Sequence, residues 1–140
     1  MTAFYRFVLG IAKIIVSLRG VKFSGRENLL DNGAVVVIGN HTHWSDPVYV
    51  AVAYKKRQIS FMGKVELFKN KIVALLLKKL TVISVDRNAN DIKALKSSLA
   101  VLKNQQVLGI FPEGTRASSA DEELLELIHK ACEKCNVTIG

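Results

Sequence analysis

Cysteine, acidic side chains and long apolar runs are all scarce in this sequence, and each scarcity closes off a class of protein. The two cysteines, Cys132 and Cys135, make a single C-x-x-C pair near the C-terminus. Without a second pair there is neither a disulfide framework nor a complete four-cysteine zinc site, which fits a reducing compartment. The pair reads either as a redox dithiol or as two small side chains on a helix. No eighteen uncharged apolar residues follow one another, so no segment is expected to span a bilayer, and no secretory-type cleavage site follows the N-terminal stretch. A G-x-S-x-G elbow is missing, which counts against a serine hydrolase. There is no internal repeat, low-complexity tract or interdomain linker.

The shortage of acid is the most informative of these. Arg6, Lys13, Arg19, Lys22 and Arg26 all precede the first acid, Glu27. Between Asp46 and Asp86, Glu66 alone stands against Lys55, Lys56, Arg57, Lys64, Lys69, Lys71, Lys78 and Lys79, and the formal net charge is +8. Such a basic field suits nucleic acid, anionic lipid or a phosphorylated substrate, because attraction to each is largely independent of sequence. Charge alone does not choose among them, or separate them from a plain solvated face.

At 140 residues, 49% of them apolar, the chain is long enough for one globular domain with a core. Phe4, Phe7, Val8, Ile11, Ile15 and Leu18 recur at helical spacing, with Arg6 and Lys13 on another face. This predicts an amphipathic basic helix over residues 1–19, lying in a membrane interface or packing on the domain's own core. From residue 20 onward the pattern is α/β. Strands are expected at Val21–Ser24, Ala34–Ile38, Ile59–Met62, Val82–Val85 and Val107–Phe111, with a turn at Asp31-Asn32-Gly33. Helices are expected at Asp46–Tyr54, with Asp46 as N-cap and Pro47 in the first turn, at Val65–Leu80 and at Asp91–Lys103. Alternating strands and helical crossovers imply one largely parallel sheet flanked by helices.

Four short motifs fall where strands are expected to end, the place where open α/β sheets bind ligands. Asn40-His41-Thr42-His43-Trp44-Ser45-Asp46 sets a His and an Asp five apart, so an imidazole base could be oriented by a carboxylate on its other nitrogen. The same stretch permits two other readings: Asp46 as a helix cap only, or His41, His43 and Asp46 as metal ligands. Gly63-Lys64-Val65-Glu66-Leu67-Phe68 puts the Lys64 ammonium just past a strand. Asp86-Arg87 ends another. In Phe111-Pro112-Glu113-Gly114-Thr115-Arg116, Glu113 can accept from a hydroxyl and the Arg116 fork can grip phosphate at two points.

In this order, over about Gly25 to Arg116, the four motifs resemble the 1-acyl-glycerol-3-phosphate acyltransferase family, bacterial branch. The resemblance implies a single glycerol-phosphate-acyltransferase-like α/β domain over residues 20–140. It implies His41 as general base with Asp46 its partner, Lys64, Arg87 and Arg116 as phosphate-binding cations, and Glu113, Gly114 and Thr115 at the acceptor site. It further implies direct acyl transfer from coenzyme A or acyl carrier protein to lysophosphatidic acid, giving phosphatidic acid, with no metal, cofactor or acyl-enzyme. The expected setting is peripheral, on the anionic cytoplasmic face of the cell membrane, and nucleic acid is not an expected partner. Acyltransferases of glycerol 3-phosphate or of other lysolipids share these motifs, and a non-catalytic basic membrane module would share the charge.

Beyond Arg116 the likeness fades: Ala117–Glu126 is rich in serine and acid where a basic, glycine-containing stretch is usual. A helix over Asp121–Cys135 and the start of a strand at Val137–Ile139 are still expected. The family's following Val-Pro motif is missing, and the sequence is therefore expected to be C-terminally truncated, leaving Val107–Phe111 without a strand partner.

Overall fold

The computed structural model describes residues 1–40, 42–86, 91–111 and 138–139. Its strands are β1 (Val35–Ile38), β2 (Ile59–Lys64), β3 (Ile83–Val85), β4 (Val107–Ile110) and β5 (Thr138–Ile139), and its helices α1 (Ala3–Leu18), α2 (Asp46–Ala53), α3 (Lys71–Lys79) and α4 (Ile92–Lys103). They form one sheet of order β3-β2-β4-β1-β5 in which every pairing is parallel. The expected α/β class and parallel sheet are therefore present.

The alternation of side chains along each strand divides the core in two. Val36, Leu108 and Ile110 point to the face covered by α4 through Leu95, Val101 and Leu102. Val35, Ile59, Phe61 and Val107 point to the other, where Val50, Ala51 and Tyr54 from α2 and the residue after it cover them. Helix α1 adds a third layer outside α2, burying Tyr5, Leu9 and Val16 against Val52. The Tyr5 hydroxyl accepts from the Ile59 N–H at 3.3 Å, and burial pushes the phenol pKa up.

Several expectations need correction. Val107–Phe111 was expected to lack a partner, yet β4 lies in the middle of the sheet, paired with both β1 and β2. The crossover through α2 leaves a gap between β1 and β2 that the later strand fills. Val21–Ser24 is not a strand; Gly20 turns the chain with a positive φ and Val21 and Phe23 pack beside α1 and α2. The helical stretch Val65–Leu80 is broken into a 3-10 turn, Val65–Phe68, and α3, because Asn70 caps α3 by accepting from the Ile72 and Val73 N–H groups. In α1 the buried face is Tyr5, Leu9 and Val16, whereas Phe7, Ile11, Ile15 and Leu18 from the spaced apolar set are exposed. The apolar arc of this helix is wider than one packing face, so it both packs on the domain and keeps an apolar face outside, with Arg6 and Lys13 on the remaining side.

Gly109 is where the sheet admits the Phe61 ring. A Cβ there would overlap that ring and meet Ile59 Cγ2 at 3.0 Å. Phe61 also stacks on Phe111 at 5.7 Å between centroids, so the ring supports the start of the loop after β4. Gly109→Ala is expected to cost about 1–3 kcal/mol through overpacking. Its urea midpoint should fall at constant slope; an unchanged midpoint would mean that the ring moves aside freely.

Candidate functional site

A parallel sheet delivers all its strand C-termini to one edge, and the four motifs follow from that edge in the spatial order of the strands. Asp86 follows β3, Lys64 ends β2, Phe111 follows β4, and the loop from Gly39 to Asp46 follows β1. The ends of β1 and β2 are separated by β4 alone, so they lie about 10 Å apart at the usual strand spacing.

Asp46 organises the first loop. Its Oδ2 accepts from the Thr42 and His43 N–H groups, each at 2.7 Å, and from the Thr42 hydroxyl at 3.4 Å. Asp46 N–H in turn donates to the His43 carbonyl at 3.0 Å. The helix N-cap is Ser45, not Asp46 as its type and position suggested. The carboxylate therefore reaches back along the chain and pins the backbone immediately after position 41. Ser45 is buried, and its hydroxyl lies 2.7 Å from His43 Nδ1, while His43 and Trp44 stay exposed on the surface. Tyr49 joins the same corner: the Ser45 hydroxyl, and then the Arg19 guanidinium at the end of α1, hydrogen-bond its phenol and hold its pKa below the ordinary value.

A second aspartate closes the loop after β3. Asp91 accepts from the Asp86 N–H through Oδ2 and from the Ala94 N–H through Oδ1, both at 3.0 Å. Those backbone donors, Asp86 first, hold its carboxyl below the usual range. A depressed folded-state pKa stabilises above the unfolded value, so this contribution is present at neutral pH and lost as pH falls through the lower, folded value. Sequence reasoning took Asp91 only as a helix start. The signal for its second role was its spacing from the strand-end pair Asp86-Arg87, which a carboxylate can bridge.

Of the candidate residues, Asp46 and Lys64 are described, Asp46 after the loop that follows β1 and Lys64 at the end of β2, with β4 between those two strands. Lys64 is solvent-exposed. His41, Arg87, Glu113, Gly114, Thr115 and Arg116 lie outside the described residues, as does the expected helix Asp121–Cys135. Their described neighbours Thr42, Asp86 and Phe111 stand on that same edge. Not all of the basic field faces it. Arg57 lies at the opposite end of the sheet, where its guanidinium donates to the carbonyls of Leu30, Gly33 and Gln105, and Lys56 pairs with Asp31. Among the described residues no group of three or more His, Cys, Asp or Glu side chains is placed to hold a metal ion. None of the described helices is long and apolar enough to cross a membrane.

Residues 20–131 match the model of the family described as Acyltransferase. The chain is 38% identical over 115 residues to the 1-acyl-sn-glycerol-3-phosphate acyltransferase of Bacillus subtilis, a match covering 81% of this chain and 58% of that protein. It is 31% identical over 120 residues to the Streptococcus pneumoniae protein of the same name, covering 83% of this chain and 46% of the relative. With the one from Borreliella burgdorferi the identity is 30% over 122 residues, covering 81% and 47%. The chain spans about half the length of the curated relatives it matches. No solved structure matches it at comparable significance.

Proposed function

The chain belongs to the acyltransferase family, and from that premise we propose that it transfers a fatty acyl group from a thioester donor to the free hydroxyl of 1-acyl-glycerol 3-phosphate. The observation that supports this best is the one sheet edge on which all four motif-bearing loops begin, with the His41 loop braced by Asp46. Direct transfer of this kind needs a base, a phosphate anchor and a way to hold two substrates in line. His41 is the base. A glycerol hydroxyl is a poor nucleophile at neutral pH, and a positioned imidazole removes its proton as the oxygen attacks the thioester carbon, then gives that proton to the thiolate released when the C–S bond breaks. Asp46 supports the imidazolium formed in between.

Lys64 and Arg116, with Arg87, bind the acceptor's phosphate, and Glu113, Gly114 and Thr115 complete its pocket. The thioester of coenzyme A or acyl carrier protein is already activated, so fixing the acceptor contributes mainly through orientation. The reaction as written calls for no metal or cofactor. The acceptor's acyl tail keeps it in a bilayer, and the exposed apolar side of α1, with Arg6 and Lys13, is suited to hold the protein peripherally on the anionic cytoplasmic face.

The deciding assay is thioester-dependent acylation of a panel of acceptors by membrane fractions: 1-acyl-glycerol 3-phosphate, glycerol 3-phosphate and lysolipids with other headgroups. Labelled phosphatidic acid is the expected product; a product only from another acceptor, or none, would overturn the reading. Arg116→Lys keeps the charge but loses the two-point fork. It should raise the acceptor's KM by roughly tenfold or more with little change in the donor's. Equal changes in both would remove Arg116 from the phosphate site.

A further inference from the structure

Helix α3 is the least buried of the described α-helices. None of its residues is buried, and its partly buried positions, Ala74 and Leu77, leave the opposite side outside. On that side Ile72 is 81% exposed, Leu75 58% and Leu76 43%, three apolar side chains on one face at helical spacing. An aqueous surface helix does not ordinarily carry such a face. Lysines surround it: Lys69 and Lys71 at its start, Lys78 and Lys79 at its end, all exposed, with Glu66 the only acid between Asp46 and Asp86.

The position of α3 matters as much as its composition. Lys79 Nζ lies 5.2 Å from the centroid of the Phe4 ring, and Leu80 packs in the cluster formed by Tyr5, Leu9, Val16 and Val52. The C-terminal end of α3 thus meets the N-terminal end of α1, whose own outward side exposes Phe7, Ile11, Ile14, Ile15 and Leu18. At its other end, α3 is joined to Lys64 through the single turn Val65–Phe68.

We infer that α3 is a second lipid-contacting helix, which with the outward face of α1 makes one two-helix footprint on an anionic bilayer, adjoining the strand end that carries Lys64. Charge selects this occupant. An apolar stripe rimmed by lysine fits a lipid interface, where the side chains Ile72, Leu75 and Leu76 enter the acyl boundary and the lysine stems extend to anionic headgroups. A second copy docked on the same patch about a two-fold axis would set lysine against lysine. The inference deepens the proposed function, on which it rests for its purpose: the acceptor would enter sideways from the bilayer, headgroup toward Lys64, without leaving it.

The test does not need turnover. In the full chain carrying Trp44→Phe and Ile72→Trp, the single indole should be quenched by dibrominated phosphatidylcholine in phosphatidylglycerol vesicles. Under the same conditions an indole placed by Lys103→Trp on α4, in the Trp44→Phe background, should not. Leu75→Glu/Leu76→Glu should lower partitioning to those vesicles at least about tenfold, given the area two leucines bury. Its circular dichroism, and its rate on a short-chain, water-soluble acceptor, should be unchanged. An unquenched indole at position 72, or unchanged partitioning of the double variant, would overturn the inference. So would conversion of a dimer to a monomer by the double variant, which would assign the patch to a second copy. Quenching in a protein that acylates no acceptor would retain the footprint and remove the proposed reaction instead.

Discussion

Replacing His41 by alanine should lower the rate of acyl transfer by about two to four orders of magnitude and leave the domain folded. The size follows from what a positioned base contributes to attack by an alcohol. The neutrality toward folding follows from what surrounds position 41. The strand before it, β1, is fixed by parallel pairing to β4, and the backbone after it is fixed by Asp46 through the Thr42 and His43 N–H groups. None of these bonds uses the side chain of residue 41. The measurement is the initial rate at saturating acceptor and acyl thioester, alongside a urea transition for the same preparation. Retention of more than about a tenth of the rate would remove His41 from the role of base. If chelators also abolish activity and added zinc restores it, the metal-ligand reading of His41, His43 and Asp46 would take its place.

The strands were legible because buried parallel strands read as short apolar, β-branched runs: Val35–Ile38 and Val107–Ile110 are both of this kind. Their spatial order was not, since nothing local in Val107–Ile110 says that it will sit between β1 and β2. That single missing fact produced the expectation of an unpaired strand. The α1 face was illegible for a different reason. With an apolar arc wide enough for two faces, periodicity offers two answers, and tertiary packing of Tyr5 against the start of β2 selects the one that spacing alone does not. Asn70 is a third case: its side chain competes for the backbone N–H groups that a continuous helix would have used, which propensity summed over Val65–Leu80 does not reveal. At the site, motif order predicted which loops would share an edge, and a parallel sheet makes that inference general. It did not predict how the loops are braced, because an aspartate beside a helix can bond forward as a cap or backward as a clamp. Asp91 bonds both ways and Asp46 is observed bonding backward.

The backward clamp leads to the second large effect expected, at Asp46 itself. Two roles are combined in this carboxylate: its Oδ2 holds the loop by two bonds of 2.7 Å, and its charge is proposed to stabilise the His41 imidazolium during proton transfer. Asp46→Asn separates them. An amide oxygen can still accept from the Thr42 and His43 N–H groups, so the loop should hold its shape, but the negative charge is gone. Asp46→Ala loses both, and leaves two loop N–H groups to find water. If charge support dominates, the two variants should lose kcat alike, by about a hundredfold or more, with the acceptor's KM nearly unchanged. Loss of the clamp would appear only in Asp46→Ala, as an added rise in KM and a stability deficit of about 0.5–1.5 kcal/mol per lost bond, since these exposed donors turn to water. Urea transitions and full kinetics on both variants, at one pH, distinguish these outcomes. Near-complete activity in Asp46→Asn with severe loss in Asp46→Ala would make Asp46 a structural clamp alone, and would require the imidazolium to find its support elsewhere on the sheet edge.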